Sequence, residues 1–208
     1  MPTAMTHLDL AQLLALAAAV GWASGLRLYA VLFLVGMAGF MGWIELPSGL
    51  SLLQKPVMLG ASGFMLFIEF FVDKIPGLDT LWDMVHTVVR IPAGAALAAA
   101  VFGSDQASWA TAAALVGGTL AATSHAAKTT TRAALNTSPE PFSNIAMSLL
   151  GDSVVPASLW LSVAHPFVFF AALAVMLVVM VVTIWMLAKF LRGLFARVRG
   201  LFGQPSGA

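Results

Sequence analysis

The chain has 208 residues, no cysteine, a net charge of +1, 60% hydrophobic residues and only 9% charged ones, against roughly 25% charged in an ordinary soluble domain. At a mean hydropathy of +0.94 it has too little polar surface to cover a soluble globule. That excludes a soluble enzyme, a nucleic-acid binder and a disordered chain, rules out disulfide and thiolate chemistry, and points to an all-α, polytopic helical membrane bundle.

The first ten residues, MPTAMTHLDL, carry no Lys or Arg and do carry Asp9, the reverse of a signal-peptide start. The apolar run behind them continues to Ile44 and reads as retained membrane segment. A single helix from Leu8 to Ile44 would be about 55 Å long, too long for one crossing of a core about 30 Å thick. Ser24-Gly25, followed by Arg27, is the natural break. It gives a tight hairpin of spans 8–24 and 26–44, with one span plus a surface helix as the alternative. Further spans are predicted at 56–73, 82–103, 108–128, 143–163 and 166–188. The breakers between them are Pro47-Ser48-Gly49, Pro76-Gly77, Gly103-Ser104-Asp105, Pro139 with Pro141, and His165-Pro166. One transmembrane domain over 1–188 thus holds seven spans, or six without the hairpin.

Residues 189–208 follow as a basic tail. Phe190, Leu191, Leu194, Phe195, Val198, Leu201 and Phe202 recur there at helical spacing, with bases on the other face. This pattern predicts an amphipathic helix lying on the inner leaflet against anionic lipid. A plain stop-transfer anchor needs only the bases. Lys189, Arg192, Arg197 and Arg199 put the C-terminus on the cytoplasmic side. Counting back puts Lys128 and Arg132, then Lys74 and Arg90, then Arg27 inside, with only Lys55 outside. Trp43, Trp109 and Trp160 fall at outer ends and Trp185 at an inner end, as aromatic belts do. The N-terminus is outside with seven spans and inside with six.

Span length forces ionisable groups into hydrocarbon. Ile91 to Phe102 is about 18 Å of helix, too short to cross alone. The helix must borrow Asp83, His86 and Arg90. The same argument buries Glu69 and His125 near the inner ends of their spans, and Asp152 deeper, before Pro156. Each costs roughly 2.5–3.5 kcal/mol unless it faces a bundle interior, a wet cavity or a partner. Helical spacing supplies partners. Asp79, Asp83, His86 and Arg90 form one stripe; Glu69 and Asp73 are i, i+4; His125, Lys128, Arg132 and Asn136 form another stripe. The simplest arrangement sets these stripes face to face in the cytoplasmic half, with Arg27 and Asp152 nearby. Glu69, Asp73 and Lys74 also read as a helix end that snorkels to water, and a lone buried histidine is more often hydrogen-bonded than a ligand.

Two stretches break their helices: Asp73-Lys74-Ile75-Pro76-Gly77-Leu78-Asp79 and Asn136-Thr137-Ser138-Pro139-Glu140-Pro141-Phe142-Ser143-Asn144. In transporters such Pro-broken junctions expose backbone dipoles to cargo, often as a pair related by an inverted repeat; here that repeat is weak in sequence. The bland alternative is two loops capped by Asp79 and Ser143. Asp79-x-x-x-Asp83 is half of the metal–diphosphate motif of membrane transferases, without the further carboxylates that Mg²⁺ needs. Gly21-x-x-x-Gly25, Gly36, Gly39, Gly42, Gly60, Gly63 and Gly117-Gly118 sit at close-packing spacing, within the chain or in a homodimer.

Taken together, Gly25-Leu26-Arg27-Leu28-Tyr29-Ala30, Glu69-Phe70-Phe71-Val72-Asp73-Lys74-Ile75-Pro76-Gly77 with Trp82-Asp83 and His86, and the Asn136–Asn144 stretch resemble the domain-of-unknown-function 4126 family of bacterial multi-pass membrane proteins, over about residues 20 to 190. The resemblance implies an integral protein of the bacterial inner membrane and no established activity.

The residues themselves support three functions. The first is a small permease or an ion- or proton-coupled transporter. Glu69, Asp73, Asp83 and Asp152 would handle a cation or proton. Arg90, Lys128 and Arg132 would balance charge or bind an anionic group. His86 and His125 would relay protons; with Glu69 and Asp83 they are the candidate ligands for a divalent cation. The second is a non-catalytic scaffold held by structural ion pairs. The third is a Mg-dependent transferase on lipid-linked phosphate. An enzyme is the weaker expectation, and nucleic acid is not an expected partner.

Overall fold

A computed structural model describes residues 8–137 and 142–202, and side chains as far as Arg197. The described residues form helices joined by short turns, with no strand among them. The α-helices are α1 (Leu10–Phe40), α2 (Pro56–Val72), α3 (Leu78–Ala100), α4 (Ala107–Leu135), α5 (Phe142–Ala164) and α6 (Pro166–Phe202), with short 3₁₀ turns at Ser48–Gln54 and Ser104–Gln106. Asp9 starts α1 with a reciprocal cap: its carboxylate accepts from the Gln12 amide at 2.8 Å while the Gln12 side chain accepts from the Asp9 amide. Gly77 and Gly103, at φ +87° and +65°, make the turns before α3 and after it.

α1 reverses direction within itself. Arg27 alone leaves helical geometry, at φ −147° and ψ 84°, and divides α1 into arms over 10–26 and 28–40. Leu16 of the first arm and Leu34, Val35 and Ala38 of the second line one apolar cavity of about 500 Å³ with Leu159 and Trp160 of α5. On a straight helix Leu16 and Ala38 would be about 33 Å apart. The reversal falls two residues after the expected Ser24-Gly25 break. The second arm, thirteen residues and about 20 Å, is shorter than the predicted span 26–44.

The first arm is the axis of the molecule. Every residue from Ala15 to Gly25 is buried, which is what a helix apolar on all sides requires. It runs beside α4, with Gly21 against Gly117 and Gly25 against Ala121 and Ser124. It runs opposite to α5, where Gln12 donates to the Val163 carbonyl at one end and Arg27 reaches Ser148 at the other. α3 and α4 form an antiparallel pair, Gly94 facing Ala121 and Gly117 facing Ala98. α2 leans on the second arm, where Phe33 packs on Gly63. A methyl added at Gly42, Gly60, Gly77 or Gly193 would meet nothing within 4 Å.

Among the described residues three helices, α1, α5 and α6, are long and apolar enough to cross a membrane, α1 only when its two arms are counted as one helix, and the number rises to five if each bent pair, Ser48–Gln54 with α2 and α3 with Ser104–Leu135, counts as one span. Fewer helices qualify than the six to seven expected. α2 has only 17 residues, α3 carries its charges in its first half, and α4 is rich in Thr, Ser and Ala. The expected tail is not separated from the last span: α6 continues helical from 166 to 202 without a break, about 55 Å in all. Val198, Arg199, Leu201 and Phe202 lie beyond the described side chains. Ser138, Pro139, Glu140 and Pro141 lie outside the described residues, so the second Pro-broken junction and its inverted-repeat pairing remain expectations. α3 and α5 each begin one residue before the expected caps, at Leu78 and Phe142.

Candidate functional site

The two predicted stripes meet along the α3–α4 seam. Asp83 of α3 receives Lys128 at 3.0 Å and Arg132 at 3.2 Å from α4. One turn further on, Arg132 approaches Asp79 at 3.8 Å, and Asn136 donates to Asp79 and Thr80. One turn back, His125 meets the Thr87 hydroxyl at 2.7 Å. Arg90 turns the other way: its two terminal nitrogens bind Glu69 of α2 at 2.5 Å and Asp83 at 2.6 Å. Arg90 and Glu69 are fully buried, so neither snorkels to water.

Asp73, in the turn after α2, is the second hub. Arg132, Lys128 and Arg27 converge on its carboxylate at 2.9, 3.2 and 3.2 Å. Burial strips it of water, so three cations take water's place. Arg27 then links Asp73 to α5, reaching Asp152 at 3.0 Å and the Ser148 hydroxyl at 2.8 Å. Lys74 closes the edge on Asp152 at 3.4 Å while lying over the Phe70 ring. These two side chains, 20% and 21% exposed, are the most accessible members of the cluster, followed by Lys128 at 10%. The break at Arg27 and its burial have one cause. An extended residue between two helical arms frees a long side chain to reach two carboxylate-bearing elements, the turn after α2 and α5.

The cluster holds five cations, Arg27, Lys74, Arg90, Lys128 and Arg132, and five carboxylates, Glu69, Asp73, Asp79, Asp83 and Asp152. Seven of the nine residues expected to form the site, Glu69, Asp73, Asp83, Arg90, Lys128, Arg132 and Asp152, take part in these ion pairs, while His125 meets Thr87 and His86 meets Trp82 and Tyr29. The two histidines are engaged in opposite tautomers. His86 stacks on Trp82 and bonds the Trp82 carbonyl at 2.9 Å, and a carbonyl only accepts, so Nδ1 carries the proton and Nε2 accepts from Tyr29. Thr87 donates to the Asp83 carbonyl, so its oxygen accepts from Nε2 of His125. Among the described residues no three His, Asp or Glu side chains are grouped to hold a metal ion. The four candidate ligands Glu69, Asp83, His86 and His125 are not gathered around one point, because Arg90 and Lys128 occupy the space between the carboxylates. Asp79 and Asp83, the half motif of the transferase reading, are likewise taken up by Arg132, Lys128 and Arg90.

A cavity of about 260 Å³ opens beside the second hub, lined by Arg27, Asp73, Lys128 and Arg132 and by apolar residues of α1, α5 and α6. A groove of about 420 Å³ between α2 and α5 reaches Asp152 from the other direction. Arg27 is the one residue that lines both.

The family model described as a domain of unknown function, DUF4126, matches residues 14–186, a stretch that contains every member of this cluster. The chain belongs to the DUF4126 family. No curated protein and no solved structure matches this DUF4126 protein. Sequence reasoning missed four neutral partners in it: Tyr29, Thr87, Ser148 and Asn144, the last donating to Asn136 at 2.7 Å. Tyr29 and Asn144 stand in the stretches that carry the family resemblance, which was the available signal. Ser148 had none, since a serine in an apolar helix is common and cheap.

Proposed function

We propose that this DUF4126 protein is a small permease of the bacterial inner membrane, its C-terminus cytoplasmic, in which the ionic cluster passes a proton or an ion between two cavities. The observation that carries the reading is Arg27. It lines both the cavity at Asp73 and the groove at Asp152, and it binds both carboxylates through the same nitrogen. A carried ion that takes the place of Arg27 at Asp152, a side chain 21% exposed, would release Arg27 toward Asp73, and its departure would draw Arg27 back, so one side chain alternates between two sides of a partition. Proteoliposomes with an entrapped pH dye test this. The wild-type chain should dissipate an imposed pH gradient. Asp152→Asn and Glu69→Gln should abolish the flux while the protein still folds. Unchanged flux in both removes the cluster from any transport mechanism.

A second reading rests on a different observation, the balance of five cations against five carboxylates. A neutral, closed network is what helix-packing ion pairs require, and it favours a membrane scaffold or assembly protein. Under that reading the wild-type chain carries no flux, and charge-neutral replacements made in pairs leave it folded and functional.

A further inference from the structure

We propose that the cavity beside Arg27 binds a small organic anion with an apolar body, a short-chain phosphate or carboxylate. The proposal rests on the permease reading and names its cargo class. Three of the four charged groups in the wall, Arg27, Lys128 and Arg132, are cations, and the fourth, Asp73, is already held by all three. A cation entering here meets like charge; an anion meets donors. One donor is unclaimed: Nη1 of Arg27 has no hydrogen-bond partner among the described residues, and with almost none of its surface exposed it meets a ligand only when the side chain turns toward the cavity. A buried guanidinium nitrogen without a partner is costly, and a second carboxylate or phosphate oxygen fits its fork. The apolar part of the wall includes Trp22, Met147, Val154, Met176 and Met180, where methionine adapts to varied apolar shapes. A bare inorganic anion would leave that wall wet, and a neutral hydrocarbon would leave Nη1 unpaired. At about 260 Å³ the space lies just below the usual range for ligand pockets of about 300–1,000 Å³, which limits the ligand to a headgroup and a short chain.

The test uses the full chain in a nonionic detergent, with hexyl phosphate as the probe and thermal unfolding as the readout, since a ligand of the folded state raises Tm by mass action. Hexyl phosphate and hexanoate should raise Tm saturably. Hexanol, hexyltrimethylammonium and inorganic phosphate should not. Met176→Phe fills the cavity from its apolar wall and should remove the response. Arg27→Lys keeps the charge but loses the fork, and should weaken apparent affinity by about tenfold or more, the effect of one charge-assisted hydrogen bond. A monoacyl phosphate lipid, run in parallel, separates a bilayer source from a water-soluble one: a response to hexyl phosphate alone assigns the site to soluble anions, and a response to both extends it to lipid. Equal responses to hexanol and hexyl phosphate, or a response undiminished in both variants, overturn the proposal. Because binding is read without flux, a chain that binds hexyl phosphate but carries nothing refutes the permease alone, and one that carries protons but ignores the probe refutes this site alone.

Discussion

At the scale of single residues, Arg90 decides what the cluster is worth. Among the described residues it is the only cation in contact with Glu69, and it shares Asp83 with two others. Arg90→Ala therefore leaves a fully buried carboxylate without a mate and should cost about 3–5 kcal/mol, read as a fall in Tm in detergent. Adding Glu69→Gln to the same chain should recover most of that loss, because the uncompensated charge goes with the arginine while Asp83 keeps Lys128 and Arg132. A fall under about 0.5 kcal/mol, the usual size for a surface change, would show that water already reaches Glu69. The charged half of this site was legible beforehand for a physical reason. A carboxylate or guanidinium forced below the headgroups must have a partner, and span length alone reveals which ones are forced. Ser148, Thr87 and Tyr29 carry no such obligation: a hydroxyl can bond its own helix, as Thr87 does to the Asp83 carbonyl, so nothing in their position announced a role.

At the scale of elements, the informative feature is the reversal at Arg27. The length of the apolar run demanded a break, and the break is there, but length could not fix its residue or tell that the second arm would be short. The chain has no cysteine, so pairs can be introduced on a silent background. Gln12→Cys with Val163→Cys, and Leu34→Cys with Leu159→Cys, should each cross-link through a short bismaleimide. Both pairs tie α1 to α5, and only a folded-back α1 brings both within reach; a straight one would lose the second. The helix seams make a complementary prediction. A methyl on Gly117 would run into the Ala98 methyl, whereas one on Gly60 meets nothing within 4 Å. Gly117→Ala should destabilise by about 1–3 kcal/mol. Gly60→Ala should stabilise by about 0.5–1 kcal/mol through helix propensity. Equal effects in a thermal scan would mean that the α1–α3–α4 contact is looser than the glycines require.

At the scale of the whole molecule, the charges divide into two populations with different jobs. Ten of the nineteen charged side chains lie in the cluster and cancel, which the count of 10 bases and 9 acids conceals. Arg27, Lys74, Arg90, Lys128 and Arg132 are thus poor guides to orientation, since a base closed on a carboxylate inside the bundle does not act as a loop charge. What remains is asymmetric without them. Lys189, Arg192, Arg197 and Arg199 follow the cluster end of α6, while Asp9, Glu45 and Asp105, with Lys55, belong to the opposite end, where Trp43 and Trp160 share the wall of the apolar cavity. By the positive-inside rule this asymmetry supports the proposed orientation, with the cluster end toward the cytoplasm. Single cysteines can read this. Leu52 and Ile75 are exposed, at 59% and 50%, on opposite ends. In intact spheroplasts a membrane-impermeant maleimide should label Leu52→Cys at once, and should label Ile75→Cys only after the membrane is permeabilised. The reverse pattern would put the cluster and its accessible Lys74–Asp152 margin on the outer face. Any ion entering at Asp152 would then come from the periplasmic side, and the direction of movement assigned to Arg27 would have to be turned round.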